Sequence, residues 1–197
     1  RIWWPNKDHI TAEGDSVRMA YTVPSNLVAV GNGKLRSVKD FGGKTTYEWF
    51  VRNPINNYNV SVQIGNYVAV QDTFLKGNDT HFMNHYVLDY NKELASNFFP
   101  QSKEVIRFYE KYFGDYQWYE DGYKLVEVPY LGMEHQSAVT YGNGFSMYNG
   151  VRSKSWPMYG VIDPLIIHET GHEWFGNSVT ASDPTHIWIH EGLQVYS

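Results

Sequence analysis

Two histidines four residues apart, His168 and His172, enclose a carboxylate in the run His168-Glu169-Thr170-Gly171-His172. On a helix this separation brings both imidazoles to one face, one turn apart, where they can reach a single ion. Zinc favours four-coordinate nitrogen and oxygen sites, and a catalytic zinc keeps three protein ligands and leaves the last position to water. Glu191 follows His172 by 19 positions, room for a turn at Asp183-Pro184 and a returning helix, so its carboxylate can complete the set. Glu169 sits beside a ligand but points off the ligand face. It is therefore placed to take a proton from an attacking water rather than to bind the metal. The chemistry this set could do is metal-assisted hydrolysis, with one Zn2+ per chain on His168, His172 and Glu191 and with Glu169 as general base. With 8 histidines in 197 residues, a chance His-Glu-x-x-His is expected in roughly 2% of such chains, before the helix and the third ligand are required.

Other histidines compete less well. His81 and His85 are also four apart, but they enclose Phe82-Met83-Asn84 in a strand-like run with no acidic partner at a matching position. His186 and His190 lie near the candidate site and read as supporting or surface residues. The chain has no cysteine, which removes disulfides and thiolates and leaves His, Asp and Glu as the strong ligands.

The elements that must position these groups are legible in outline. Asp163 is an N-cap and Pro164 a first helical residue, and Gly176 suits a helix end, so the spacing predicts a helix from about 164 to 175. Gly171 inside it costs roughly 1 kcal/mol relative to Ala, which implies a close neighbour at that backbone. A second helix is predicted from about Ile187 through Ile189, Leu193 and Val195. A third carries Val105, Tyr109, Tyr112 and Phe113 at one-face spacing and ends at Gly114. Upstream the period is two: Val17, Met19, Tyr21 and Val23 alternate with polar or small residues. Further strands are predicted at 27–30, 45–52, 59–64, 67–71 and 123–128, with glycine-rich breaks between the earlier ones. Residues 1–88 thus read as antiparallel sheet, and residues 89–197 as a mixed second domain containing the irregular stretch 129–144. The fold class is α+β.

A net charge of −5 offers no basic face for nucleic acid. No run of about 18 apolar residues is present to span a membrane, and no targeting segment is visible, so the compartment stays open. With 42% hydrophobic and 17% aromatic residues the chain can bury a sizeable core.

The run His168 to Thr180, HETGHEWFGNSVT, followed by Glu191 in Trp188-Ile189-His190-Glu191-Gly192, resembles the aminopeptidase N family of zinc metallopeptidases. Upstream, Gly132-Met133-Glu134-His135-Gln136 is similar to that family's Gly-x-Met-Glu-Asn signature, with Glu134 standing 34 positions before His168. Weaker similarity runs through Trp3-Trp4-Pro5, Tyr112-Phe113-Gly114 and Glu127-Val128-Pro129. The resemblance implies the later part of an antiparallel β domain (1–88) followed by the first part of a thermolysin-like catalytic domain (89–197). It also implies peptide substrates with a free N-terminus. Glu134 would bind the substrate's α-ammonium, and the backbone of Gly132 and Met133 would pair with the extended substrate.

The chain departs from the family pattern in places. His135 stands where Asn is commonest, Thr170-Gly171 where Leu-Ala is common, and Asp183-Pro184-Thr185-His186 replaces a Trp-rich acidic turn. Family members also place a transition-state tyrosine well downstream of the third ligand, and a further acidic residue before the segment resembling Arg1 to Asp8. The expectation is therefore a fragment of a longer enzyme, inactive when isolated. Two other readings use the same residues: an endopeptidase, which needs no Glu134, and an aromatic-rich carbohydrate or peptide binding module beside a structural metal.

Overall fold

A computed structural model describes residues 3–7, 9–145 and 162–197. Arg1, Ile2 and Asp8, part of the opening resemblance, lie outside the described residues.

The chain begins with β1 (Glu13–Gly14), β2 (Val17–Pro24), β3 (Val28–Gly31), β4 (Lys34–Phe41), β5 (Lys44–Val51), β6 (Ile55–Asn56), β7 (Val62–Gly65), β8 (Tyr67–Lys76) and β9 (Asp79–Leu88). Helices α1 (Lys92–Phe98) and α2 (Ser102–Phe113) follow, then short strands β10 (Leu125–Glu127), β11 (Gly132–Met133) and β12 (Val139–Tyr141). Two more helices, α3 (Pro164–Gly171) and α4 (Trp188–Tyr196), complete the described part. This is an α+β fold, as the change of hydrophobic period predicts.

Strands β2, β5 and β4 form an antiparallel sheet with β5 central, and β8 and β9 pair antiparallel from Tyr67↔Leu88 to Lys76↔Asp79. The latter pair extends through β9 into a five-stranded sheet ordered β11-β12-β10-β9-β8, in which β10 runs parallel to both β9 and β12. Hydrogen bonding thus crosses the 88/89 division predicted from sequence, because Val126 of β10 pairs with Tyr86 of β9.

Alternation along these strands divides the interior into two cores. Val70, Phe74, Met83, Val87 and Leu125 pack with Phe99, Val105, Ile106, Leu165 and Ile166 from the helices. Tyr67, Tyr86 and Val126 turn the other way, onto Trp49, Met19, Val30 and Val51 of the smaller sheets. The central sheet is therefore covered by helices on one face and by strands on the other.

Several predicted elements shift. β4 has no counterpart in the sequence reading: it lies at the edge of its sheet, mostly exposed, with a register irregularity between Leu35 and Ser37, so no alternating apolar pattern marks it. In α2 the buried positions are Ser102, Val105, Ile106 and Tyr109. Tyr112 and Phe113, predicted on the buried face, are exposed. The helix at 164–175 stops being α-helical at Gly171. The next residues mix three-residue bonds, Glu173 N–H to Thr170 O and Trp174 N–H to Gly171 O, with a four-residue bond from Phe175 N–H to Gly171 O, and then widen to five-residue bonds such as Asn177 N–H to His172 O.

Candidate metal centre

Helix α3 starts as the sequence predicts. The Asp163 carboxylate accepts the Leu165 N–H at 2.8 Å and also holds the Tyr141 hydroxyl and the Asn143 amide, and Pro164 occupies the first turn, where its missing N–H is not needed. Close packing expected at Gly171 is present: a Cβ there would stand 2.2 Å from Tyr109 Oη. Tyr109 in turn stacks on Trp174, with ring centroids 5.0 Å apart, so the end of α3 is wedged against α2.

The Nε2 atoms of His168 and His172 face each other at 3.3 Å. Nδ1 of His172 lies 2.8 Å from the Phe175 carbonyl; a carbonyl can only accept, so Nδ1 carries the proton and the neutral ring offers its Nε2 lone pair to the site. His172 is buried, whereas a third of the His168 side chain is exposed.

Glu191 arrives on the first turn of α4. A turn capped by Asp183, whose carboxylate accepts the Thr185 N–H, precedes that helix. α4 turns His190 and Gln194 inward, and Gln194 Nε2 donates to the Ile167 carbonyl of α3 at 3.3 Å. Leu193 and Val195, two of the apolar residues that predicted this helix, are exposed. The Glu191 oxygens lie 3.3 Å from His168 Nε2 and 3.6 Å from His172 Nε2. An ion holding nitrogen and oxygen ligands tetrahedrally at zinc's bond lengths spaces them about 3.3 Å apart along each edge. The three ligand atoms have that spacing already, so these residues fit such an ion.

Glu169 is buried and faces β11. A Cβ on Gly132 would stand 2.5 Å from Glu169 Oε1, so the carboxylate rests directly on the glycine backbone. Burial pushes the Glu169 carboxyl up to about 8, with His172 opposing the shift and Glu134 and Glu191 adding to it. Burial, then the neighbouring His172, holds the His168 imidazole below its ordinary value. Burial also works against charge on His172, but Glu191, Glu134 and the Phe175 carbonyl outweigh it and raise that imidazole. Its histidine neighbours, His172 first and then His168, hold the Glu191 carboxyl below its ordinary value.

Glu134, on the loop after β11, is nearly buried, and its carboxylate lies within 4.8 Å of ligand atoms of both Glu169 and His172. The structure thus gathers every candidate residue: His168, His172 and Glu191 as one cluster, Glu134, Glu169 and His172 as an overlapping one, and Gly132 and Met133 on the adjoining strand. Among the described residues β11 is the outermost strand of its sheet, leaving one side of its backbone without a strand partner.

His190 adjoins the cluster without contributing a ligand atom to it, and His81 and His85 lie elsewhere. His190 Nε2 accepts the Ala181 N–H at 2.9 Å and its ring stacks on Tyr58. His81 lies against Tyr119 and His85 Nδ1 accepts the Leu125 N–H; four residues along a strand separate the two by about 13 Å, too far to share an ion. Sequence reasoning passed over Glu173 and Asn177. Glu173 is buried, accepts the Ser137 N–H at 2.7 Å, and is pushed up to about 8 by burial, with Asn177 and Ser137 opposing. Asn177 Nδ2 donates to the Glu134 carbonyl at 2.9 Å. Their only signal was position: Glu173 directly follows His172 and Asn177 stands five positions after it.

Residues 98–197 match the family described as the peptidase family M1 domain. Over 182 residues the chain is 24% identical to aminopeptidase M1-D of Oryza sativa subsp. japonica, covering 91% of this chain and 20% of that protein. The crystal structure of an M1 zinc metallopeptidase from Deinococcus radiodurans superposes with a TM-score of 0.79 at 20% identity, covering 98% of this chain and 42% of that one. A mutant of the M1 zinc metallopeptidase from Deinococcus radiodurans, bound to a Tyr-Ser-Ala substrate, superposes at 0.68 with 18% identity, covering 92% and 39%. The chain spans about a fifth of the length of the curated relatives it matches. With the family domain matching half of its length and the same fold in solved members, the chain belongs to peptidase family M1.

Proposed function

We propose that this chain carries the metal centre and the amine anchor of a zinc-dependent aminopeptidase, which releases N-terminal residues from peptides. The observation that carries the reading is the place of Glu134: a nearly buried carboxylate within 4.8 Å of Glu169 and His172, beside the two-histidine cluster. A fixed negative charge so close to the hydrolytic groups suits a substrate α-ammonium one residue away from the cleaved bond. An endopeptidase has no use for it.

The ion is assigned to His168, His172 and Glu191, where two imidazoles and a carboxylate converge at tetrahedral spacing, rather than to Glu134, Glu169 and His172, which offer only one imidazole. Bound there, zinc supplies Lewis-acid polarisation of the scissile carbonyl and lowers the pKa of water. Glu169 takes the proton of the attacking water and passes it to the leaving amine. Its raised basicity, from burial, favours holding that proton near neutral pH. The open side of β11 at Gly132 and Met133 accepts the extended substrate as an added strand, which orients the first peptide bond. Peptides with a free N-terminus are the proposed partners, in keeping with the Tyr-Ser-Ala complex of the related structure.

We also propose a functional division near residue 88. All proposed site residues lie in 89–197, and the β-rich part before it backs the central sheet.

Hydrolysis of an aminoacyl-arylamide and its N-acetylated form by the full-length protein, with and without a chelator, tests the reading. Chelator-sensitive release is expected, many times faster from the free amine than from the acetylated form. Glu169→Gln should lower kcat by about a hundredfold while zinc is retained, and Glu134→Ala should abolish the preference for a free amine. Equal cleavage of both substrates by the unmodified protein would sink the proposal.

A further inference from the structure

The loop carrying Glu134 is bound on every side. Asn32 Nδ2 donates to the Gln136 carbonyl at 2.7 Å, Gly33 N–H to Ser137 Oγ at 2.8 Å, and Lys124 Nζ to the Ser137 carbonyl at 2.9 Å. Ser137 itself sits at φ 59°, a left-handed conformation that a non-glycine residue holds only when its surroundings over-determine it. Glu173 accepts the Ser137 N–H. Such a clamp is more than a surface loop needs.

Besides Glu173, which directly follows His172, one other side chain joins this loop to the segment of the metal ligands, and it alone bonds the Glu134 residue itself. The Asn177 N–H bonds to the His172 carbonyl at 3.0 Å, while its Nδ2 donates to the Glu134 carbonyl at 2.9 Å and to Glu173 Oε2 at 3.2 Å. Two acceptors on one side settle which end of the amide faces them. Its Oδ1 is then free to accept, and does so from Asn59 Nδ2 at 2.7 Å, with the Tyr58 hydroxyl 3.5 Å away. Asn177 is almost wholly buried, as is Asn59. Two hydrogen bonds through a single residue therefore span from the backbone of a histidine ligand to the backbone of the amine anchor.

We propose that Asn177, oriented by Asn59, is a positioning residue that sets the distance from the Glu134 carboxylate to the metal centre, and so fixes cleavage one residue from the free amine. The inference rests on Glu134 being the amine anchor. Without the Asn177 bond the loop keeps its other ties, Ser137 N–H to Glu173 among them, but Glu134 itself loses its bond to the His172 segment. The anchor then drifts, and a displacement of about 1 Å is enough to cost up to a hundredfold in rate. The loss falls on substrates that use the anchor and spares those that do not.

The test is carried out on the full-length protein with Asn177→Ala and, as a milder change outside the loop, Asn59→Ala. Zinc content and melting temperature are measured on each. The ratio of kcat/KM for a free-amine peptide to that for its N-acetylated form is then compared with the unmodified protein. Expected is a fall in that ratio of about tenfold or more for Asn177→Ala, driven mainly by KM, and a smaller fall for Asn59→Ala, both at one zinc per chain. If Asn177→Ala does not fold, Asn59→Ala alone decides. Variants that lose activity on both substrates equally, with the ratio unchanged, overturn the positioning role and leave the aminopeptidase reading standing. An unmodified protein with no preference for the free amine overturns both.

Discussion

A Cβ on Gly132 would stand 2.5 Å from Oε1 of Glu169 and 2.9 Å from its Cδ, so the carboxylate proposed as general base occupies the space a side chain would need. Gly132→Ala must therefore push Glu169 aside. A fall in kcat of at least about tenfold is expected, with bound zinc unchanged, because the nearest atoms to the added Cβ all belong to Glu169, which is outside the proposed ligand set. Steady-state kinetics beside elemental zinc analysis would check it; unchanged kcat would remove Glu169 from the mechanism.

Gly171 faces a comparable obstruction. Its missing Cβ would meet Tyr109 Oη at 2.2 Å and Cζ at 2.6 Å, and Tyr109 is buried against Trp174. Overpacking of this kind costs about 1–3 kcal/mol, against roughly 1 kcal/mol gained in helix propensity. Gly171→Ala should lower the melting temperature, and a rise would mean that α2 yields easily.

His85 makes stability depend on pH. Burial pushes its imidazole down to about 4 from an ordinary 6.5. Between those values the unfolded chain binds more protons than the folded one, so the stability held above pH 6.5 is lost as pH falls towards 4, by about 3 kcal/mol. Asp72 works against the shift, while Lys103 and Lys124 add to it. In urea unfolding at pH 7 and pH 4.5, His85→Gln should show a smaller difference between the two than the unmodified protein; an equal difference would rule out His85 as the source.

The N-cap of α3 supports the ligands from a distance. The Asp163 carboxylate accepts from the Leu165 N–H and the Tyr141 hydroxyl in a buried setting. Asp163→Ala removes the cap of Leu165 and an acceptor of the Tyr141 hydroxyl, at a cost of about 1–3 kcal/mol. Zinc affinity should weaken along with the melting temperature. A melting temperature unchanged within error would contradict this account.

Zinc itself should act as a stabiliser. Binding only to the folded state at a hundred times Kd adds about 2.7 kcal/mol. Chelation should lower the melting temperature and added zinc restore it, whereas Glu191→Ala should respond little to either. A full response in that variant would remove Glu191 from the ligand set.

Chemistry whose geometry is local could be read directly from the residues. A four-residue spacing on a capped helix dictates that His168 and His172 share a face, because helical geometry needs no distant contact. The same holds for the Asp163 cap and the period-two strands β2 and β5. Tertiary structure decided the rest. β4 carries no alternation because neither of its faces is deeply buried, and the regular α-helical bonding of α3 ends where Tyr109 and Trp174 pack around Gly171. Glu134 lies 34 positions from His168 in the chain, and what holds it near the site are bonds such as Asn177 to Glu134 and Asn32 to Gln136, 43 and 104 residues apart. A single hydrogen bond between distant residues leaves no period in either segment, so only the folded chain reveals it.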